Sequence, residues 1–439
     1  MSWAQDEFKT LELGDQRLIA RAVLLAERLS SKPTESIPNA CLGWAETQAA
    51  YRFLSNPRSD WQALLEPHWA SSLERMRQHK VVLNIQDTTE LDFNGRQTAG
   101  LGPLSYEAQR GMYLHPTYAI SPEREPLGVL DAWMWAREPK DSDGRRPGIK
   151  ESLRWIEGYE RVAERAKALP DVRQVYVADR EADILALLVK ARDLEYAADY
   201  LVRCQHNRAL PSGDKLWAKL AQAPALGSVR FELPSGRGRK ARCVQQNIRA
   251  EQVEIGDGAG GQLSVTCVLA EESNPPAGSK PVLWRLLSNR PVHTLEEAIE
   301  LIDWYRARWE IELFFLILKE GCRIEALQLG HIERIETALA LYLVVAWRIN
   351  RLMRLGRSLP ELPAELLFEK DEWQAAYILN KKPVPKTAPQ LHAVVRLIAR
   401  LGGFLCRKGD GEPGAKTLWL GLRDVAVFVE GVRFARAQL

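Results

Sequence analysis

Residues 174–184 read QVYVADREADI, and this stretch decides the fold. Its first half, QVYVA, is a short apolar run that predicts a buried strand ending at Asp179. The following residues EADILALLVKA (181–191) predict a helix, and YLVRCQ (200–205) predicts the next strand. A strand, a helix and a second strand in this order indicate two parallel strands joined by a crossover helix.

The sequence upstream supports the same architecture. VVLNI (81–85) is another short apolar run and predicts a buried strand. MYLHPTYAI (112–120) and PLGVLDAWMWARE (126–138) predict two strands that pair as a meander, and ESLRWIEGYERVAERAKAL (151–169) predicts a helix. We therefore predict an α/β protein whose core is a mixed sheet flanked by helices.

Two regions depart from this alternation. From about 207 to 282 the chain breaks into short alternating segments with many Gly and Pro, which predict a mostly β insertion. VLWRLLSN (282–289) then resumes the sheet. A long helix is predicted from Thr294, because Thr294 and Glu297 have the spacing of a capping box.

Three domains are predicted. The first is helical, since residues 16–30 carry apolar side chains at helical spacing and residues 44–56 predict a helix that stops before Pro57. The last is also helical and follows a Pro-rich linker. The predicted boundaries are 1–70 for the N-terminal domain, 71–355 for the α/β core with its insertion, and 356–439 for the C-terminal domain.

Composition excludes several classes of protein. The 439 residues are 27% charged and 46% apolar, which excludes a wholly disordered chain. The longest apolar run, Ala338 to Trp347, is far shorter than the ~20 residues of a membrane span. The acidic N-terminus lacks the apolar core of a signal peptide, so a cytoplasmic location is expected. The six cysteines form no CxxC pair and the seven histidines are dispersed, which argues against a zinc site or a disulfide framework.

Charge is unevenly distributed although the net charge is only +3. Residues 203–250 carry ten basic side chains against Asp214 and Glu232, a net charge of +8. Such a stretch fits a polyanionic partner, and a solvated basic surface is the alternative. Residues 1–70 carry a net charge of −2.

The helix predicted from Thr294 carries a polar stripe. At about 100° per residue, Tyr305, Arg308, Glu312 and Lys319 fall within about 60° of one another. The other faces of this helix are largely apolar, so the stripe must face water, a ligand or other polar groups. A simple solvated face, with Arg308 and Glu312 as an i,i+4 ion pair, is the alternative.

Two aspartates each follow a predicted strand. Asp87 comes after VVLNI and Asp179 after QVYVA, and ligands bind at strand ends in open α/β sheets. Each could instead be an ordinary turn or capping residue. Two such aspartates with a helical glutamate, Glu312, and no His or Cys cluster suit a hard cation such as Mg²⁺ or Mn²⁺.

Several strings resemble one protein family, the IS-four family of bacterial transposases. The most specific are VADREADI (177–184) and the Y-x2-R-x3-E-x6-K spacing that starts at Tyr305. Shorter similarities run along the chain: LGDQR (13–17), AAYRFLSNP (49–57), QDTTEL (86–91), YLVRCQH (200–206), VLAEESNPP (268–276), LWRLLSNRPV (283–292) and IARLGGFL (398–405).

The resemblance implies an RNase H-like catalytic core with an acidic triad of Asp87, Asp179 and Glu312 that binds two Mg²⁺ ions, for which Mn²⁺ can substitute. It implies cut-and-paste transposition, in which the ends of a transposon are cleaved through a hairpin and joined to target DNA. The partners are then double-stranded DNA and a second copy of the chain, with the C-terminal helices as the dimer contact and no membrane.

The resemblance also implies DNA-binding residues. Tyr305, Arg308 and Lys319 would hold phosphates near the active site, and Trp284 matches a position that stacks where a base is flipped out. Arg203 matches a hairpin-contacting position, although the neighbouring Gln205 departs from the lysine expected there.

Two sets of basic residues are candidate DNA contacts outside the core motifs. The Gly-rich segment around residue 237 predicts an exposed hairpin tip whose cations bind phosphates, and the helix over 16–30 would present a basic face to the transposon ends. These cations are Arg237, Arg239 and Lys240 at the hairpin tip, and Arg17, Arg21 and Arg28 on the helix.

Two alternatives stay open at this point. A retired transposase could act only as a DNA-binding or repressor protein, although the three carboxylates and the Y-R-E-K residues are all present. An RNase H-like nuclease of another pathway would cleave DNA but would form no hairpin and join nothing to a target.

Overall fold

The computed structural model describes residues 2–148, 150–233 and 241–438. The predicted hairpin tip with Arg237, Arg239 and Lys240 lies outside the described residues. The chain divides into two compact units. The helical unit comprises Met1–Met76, Thr88–Gly148 and Glu310–Leu439, and the sheet unit comprises Arg77–Asp87 and Ile149–Trp309.

The sheet unit is built on a mixed sheet. Its strands are β1 (Val81–Gln86), β6 (Arg173–Ala178), β7 (Asp199–Arg203), β8 (Ala225–Leu233), β9 (Arg242–Gly256), β10 (Gln262–Glu272) and β11 (Leu283–Ser288). Within this unit they lie in the order β1-β6-β7-β11-β10-β9-β8. The pairs β1–β6 and β6–β7 are parallel, and every later pair is antiparallel. The α/β fold with a mixed sheet is thus confirmed.

Helices cover the sheet of this unit. They are α6 (Leu153–Ala168), α7 (Leu185–Asp193), α8 (Leu216–Gln222) and α9 (Leu295–Ala307). Aromatic residues of α6, β6 and β7 form a core in which Tyr159, Tyr176 and Tyr200 are fully buried. α9 packs against β6 and β7 as well as against β8 and β9.

The segment predicted as a β insertion extends this same sheet. β10 pairs with β11, and β9 and β8 continue outward from β10. The region is mostly β as predicted, and it also contains the short helix α8. Within the described part of residues 203–250, the strands β8 and β9 belong to this sheet and do not form a separate one.

The helical unit is built mainly from helices, most of them near the two ends of the chain. They are α1 (Trp3–Glu7), α2 (Gln16–Ser31), α3 (Ile37–Ala40), α4 (Gly43–Leu54), α5 (Trp61–Met76), α10 (Trp309–Leu316), α11 (Ile332–Ser358), α12 (Lys370–Leu379), α13 (Leu391–Leu401) and α14 (Ala415–Gln438). α11 is buried along most of its length and packs against α2, α5, α13 and α14.

The helical unit also holds the predicted meander. β2 (Thr89–Asp92), β3 (Gly102–Pro103) and β5 (Pro126–Trp135) each pair with β4 (Arg110–Ile120) in antiparallel fashion. Among the described residues, none of the helices combines the length and the apolar character that crossing a membrane requires.

Two helix predictions were wrong in detail. The segment after Asp179 forms a 3-10 turn, Arg180–Ala182, and α7 begins only at Leu185, because Asp179 and Asp183 cap and flank that turn. The helix predicted from Thr294 has its capping box but ends at Ala307. α10 then leads into a π-helical turn, Ile317–Gly321.

The π turn ends at a close packing contact. Gly321 lies against the Trp419 indole of α14, where a Cβ atom would come within 2.9 Å of the ring. The turn is closed by a hydrogen bond from Cys322 N to Ile317 O of 2.8 Å, five residues back. A constant 100° per residue therefore does not hold as far as Lys319, and the predicted four-residue stripe is not one continuous helical face.

Candidate active site

Three polar residues follow one register row of the parallel strands. The last residues of β1 and β6 pair with each other, and the last residue of β6 pairs with Val202 of β7. Asp87, Asp179 and Arg203 each come one position after this row. The two carboxylates and the guanidinium therefore start from neighbouring positions at the carboxyl edge of three adjacent strands, where α/β sheets bind ligands.

Because side chains alternate along a strand, Asp87, Asp179 and Arg203 lie on the face of the sheet that α9 covers. Gln86 points toward α6, since a Cβ on Gly158 of that helix would collide with its amide. Tyr176 also points toward α6 and donates a hydrogen bond of 3.2 Å from its hydroxyl to Trp155 O. Successive residues of a strand point to opposite faces, so Asp87 and Asp179 point away from α6.

Arg308, just after α9, meets this edge. Its Nη1 donates a hydrogen bond of 2.6 Å to Oδ2 of Asp87, and its side chain is 9% exposed. Arg308 keeps helical backbone angles, and its N–H bonds to Tyr305 O. A charge-assisted pair of this kind fixes the Asp87 carboxylate and offsets part of the cost of burying both charges.

Tyr305 and Trp284 form the aromatic side of the site. Burial raises the pKa of Tyr305, the charges of Arg308 and Arg203 oppose that rise, and the charge of Asp179 adds to it. The Tyr305 hydroxyl is therefore neutral, and it can donate a hydrogen bond close to the charges of Arg203 and Asp179. The Trp284 ring on β11 meets Tyr305 edge-on at 6.4 Å and stacks on Phe231 at 5.9 Å.

Asp179 also stabilises the turn that follows it. Its Oδ1 accepts a hydrogen bond of 2.8 Å from Glu181 N and so caps the 3-10 turn that follows. The carboxylate remains partly exposed. The donor set of this edge is therefore oxygen only, which is the chemistry that Mg²⁺ and Mn²⁺ prefer. Among the described residues, no group of three or more acidic, His or Cys side chains is already drawn together as a metal site.

The remaining residues of the predicted stripe, Glu312 and Lys319, lie in the helical unit. Glu312 is an exposed residue of α10. Lys319 lies in the π turn, where its Nζ donates to Glu90 O and is 3.4 Å from Oε1 of Glu325. Glu325 in turn accepts a hydrogen bond of 3.0 Å from Asp92 N. Lys319 is thus held by the residues around β2.

The basic face predicted on α2 is largely engaged within the protein. Arg28 donates to Glu46 at 2.8 Å and to Glu430 of α14 at 2.7 Å. Arg17 pairs with Asp15 at 2.9 Å. Among Arg17, Arg21 and Arg28, only Arg21 forms no ion pair with another described residue.

Sequence reasoning missed two residues near the site. Trp309 follows Arg308 directly, is 63% exposed, and has its ring 5.4 Å from the Arg308 guanidinium carbon. Asp183 is buried and binds the segment that follows Arg203. The sequence contained a signal for each residue. Trp309 is an aromatic residue next to Arg308 of the Y-R-E-K motif, and Asp183 is the last residue of ADREAD.

Comparison with protein families agrees with the motif resemblance at both ends of the chain. Residues 1–59 match the family described as transposase DNA-binding. Residues 344–439 match the family described as transposase Tn5 dimerisation domain. The protein is therefore a transposase, a DNA-binding and dimer-forming enzyme that processes DNA. The two matched domains support a Tn5-like transposase, and the motifs of the chain are consistent with the IS-four family.

Proposed function

We propose that this transposase carries out cut-and-paste transposition with Asp87, Asp179 and Glu312 as its catalytic carboxylates. The observation that carries the proposal is the register row that sets Asp87, Asp179 and Arg203 side by side, with Arg308 bonded to Asp87. The same edge of the sheet thus carries two carboxylates, which metal-assisted phosphoryl transfer needs, and two guanidinium groups, which can bind a phosphate.

The three carboxylates would hold Mg²⁺, two ions per site, with Mn²⁺ as a substitute. Bound there, the ions would activate a water or hydroxyl nucleophile and stabilise the leaving oxygen. The donor set fits because it offers oxygen ligands alone at the strand edge. Glu312 is brought into this set by the resemblance and by its exposure on α10.

The remaining site residues would bind and orient DNA. Arg308 fixes Asp87 and carries a planar guanidinium suited to phosphate oxygens. Tyr305 stays neutral and can donate to a phosphate, because burial raises its pKa. Arg203 at the end of β7, and Lys319 in the helical unit, would supply further phosphate contacts.

The proposed reaction has four steps. Water cleaves one strand at the transposon end, and the released 3′-OH attacks the opposite strand to form a hairpin. Hydrolysis opens the hairpin, and the 3′-OH is then joined to target DNA. Every step is the same in-line phosphoryl transfer at one acidic site, with a different oxygen nucleophile.

A product analysis tests the proposal against both alternatives. DNA flanking the reading frame is footprinted with the purified protein to locate the bound ends, and a labelled end is then incubated with Mg²⁺. We expect binding, nicking, a hairpin product and joining to a target plasmid. Cleavage without hairpins or joined products would indicate a nuclease, and binding without cleavage would indicate a retired transposase.

Trp284 should matter more for hairpin formation than for the first nick. An indole that fills the gap left by an extruded base offsets part of the few kcal/mol that unstacking costs. We expect Trp284→Ala to lower the hairpin yield while leaving nicking near normal, as measured on a labelled end. Equal loss of both steps with a lowered melting temperature would mean that Trp284 only packs against Phe231 and Tyr305.

The predicted basic tip should contribute to salt-dependent DNA binding. Each phosphate contact adds about −0.9 to the slope of log affinity against log salt, so replacing Arg237, Arg239 and Lys240 by Gln should flatten the slope by about 2–3 units. Sequence preference should change little, because phosphate contacts carry no base information. Band shifts at several salt concentrations measure this, and an unchanged slope in a folded variant would place the DNA path elsewhere.

The exposed stripe of α14 should form part of the dimer contact. Val427 is 54% exposed and Phe434, two helical turns later, is 70% exposed, so both lie on one face. Burying such side chains contributes about 1.5–3 kcal/mol each, so Val427→Asp with Phe434→Asp should weaken dimerisation at least about tenfold. Sedimentation of the DNA-bound protein measures this. The control is Tyr106→Asp, which changes a residue that is 69% exposed and lies outside residues 344–439; an equal effect would contradict the assignment.

A further inference from the structure

Asp183 is a buried carboxylate with three partners on one neighbouring segment. Its side chain is fully buried. Oδ2 accepts hydrogen bonds from Gln205 N at 2.6 Å and from His206 N at 2.9 Å. Oδ1 accepts from Nη2 of Arg208, which also lies near the Asp183 carbonyl oxygen. Two backbone donors and one guanidinium therefore converge on one carboxylate.

The partners of Asp183 belong to the segment that follows β7. Arg203 is the last residue of that strand and starts from the same edge as Asp179. Cys204 N bonds to Arg285 O at 2.7 Å, and Asn207 accepts a hydrogen bond of 2.9 Å from Trp217 N. Hydrogen bonds thus fix the segment 203–208 at several points, and the Asp183 carboxylate accepts three of them.

Asp183 also lies four residues from the proposed metal ligand Asp179. The 3-10 turn Arg180–Ala182 separates them, with Asp179 as its N-terminal cap and Asp183 directly after its last residue. One short turn therefore connects a catalytic carboxylate at one end with the anchor of the Arg203 segment at the other.

We propose that Asp183 is a positioning residue that fixes the segment 203–208 so that Arg203 and Gln205 meet the DNA hairpin at the active edge. This rests on the proposed transposition chemistry. The carboxylate touches no DNA itself, since it is buried and its oxygens are engaged by protein donors. Its removal should misplace the DNA-contacting segment while Asp87 and Asp179 stay on their strands.

The chain supplies a matched control in Asp257. Its Oδ1 accepts hydrogen bonds from Ala259 N at 2.8 Å and Gly261 N at 2.9 Å, and its Oδ2 accepts from Arg192 Nη1 at 2.8 Å. Asp257 therefore has the same set of partners in the same unit, but it organises the turn between β9 and β10. Asp257 is somewhat more exposed than Asp183, so the melting temperature of Asp183→Asn and of Asp257→Asn is measured beside the reaction rates.

The test compares nicking and hairpin formation in single turnover with the full-length protein, a labelled transposon end and Mg²⁺. A misplacement of about 1 Å can cost about 100-fold in rate, so Asp183→Asn should slow hairpin formation by about 10- to 100-fold. Nicking should stay within about threefold of the unmodified protein, and Asp257→Asn should change neither step. Arg203→Gln should reproduce the defect, and the double variant should be little worse than either single variant, because both act on one contact.

Several results would overturn the inference. Parallel loss of nicking, hairpin formation and DNA binding, or independent effects of Asp183→Asn and Arg203→Gln, would make Asp183 a purely structural residue. If Asp183→Asn does not fold, Arg208→Lys loosens the same carboxylate more gently and should show a smaller defect confined to hairpin formation; no such defect would reject the proposal. Absence of nicking by the unmodified protein would instead reject the proposed function, and this inference with it.

Discussion

Asp179→Asn should abolish DNA cleavage while DNA binding stays within a few-fold of that of the unmodified protein. The substitution keeps the size of the side chain and one oxygen acceptor for the cap of the 3-10 turn, but it removes the charge that would hold a metal ion. Metal assistance contributes several kcal/mol to such reactions, so cleavage should fall by at least about 10³-fold. Asp87→Asn and Glu312→Gln should have the same effect on cleavage.

The control for this prediction lies at the other end of the same strand. Asp171 is exposed just before β6, whereas Asp179 follows its last residue, so Asp171→Asn should leave cleavage unchanged. Asp87→Asn is expected to lower stability as well, because it leaves the buried Arg308 without that counter-charge. Band shifts and cleavage assays on one labelled end measure both quantities. Near-normal cleavage by any of the three carboxylate variants would remove that residue from the triad.

Cleavage should depend completely on a hard divalent cation. We expect no cleavage in EDTA, recovery with Mg²⁺ or Mn²⁺, and DNA binding with little cleavage in Ca²⁺, whose looser coordination suits in-line transfer poorly. The physical reason is the donor set, since Asp87, Asp179 and Glu312 offer oxygen ligands and neither sulfur nor imidazole. A titration of each cation against the cleavage rate provides the measurement. Activity that survives EDTA, or that requires Zn²⁺, would contradict the assignment.

The elements of the sheet could be predicted because their signals are local. QVYVA and VVLNI are short apolar runs, and each forms a strand that ends one residue before an aspartate. The order of the strands is not a local property. That β1, β6 and β7 are neighbours, so that Arg203 joins the two aspartates in one row, required the structure.

Long-range partners account for most of what sequence reasoning missed. Asp87 and Arg308 are 221 residues apart, and Arg28 pairs with Glu430 across 402 residues, which no periodicity reveals. Gly321, at the end of the π turn near Lys319, packs against Trp419, again a contact between distant segments. Asp183 stood in the quoted motif, but that its carboxylate accepts hydrogen bonds from backbone N–H groups becomes visible only once the segment after β7 is placed.

The central claim of the proposed function is that Asp87, Asp179 and Glu312 bind the same metal ions. Binding Fe²⁺ in place of Mg²⁺ and adding ascorbate and peroxide generates hydroxyl radicals at the metal, which cut the nearby backbone. Mass spectrometry of the DNA-bound protein then maps the cuts. We predict cuts in three segments, around residues 87, 179 and 312, all suppressed by excess Mg²⁺ and by Asp179→Asn. Cuts near 87 and 179 without cuts near 312, or cuts that Mg²⁺ does not suppress, would contradict a shared metal site.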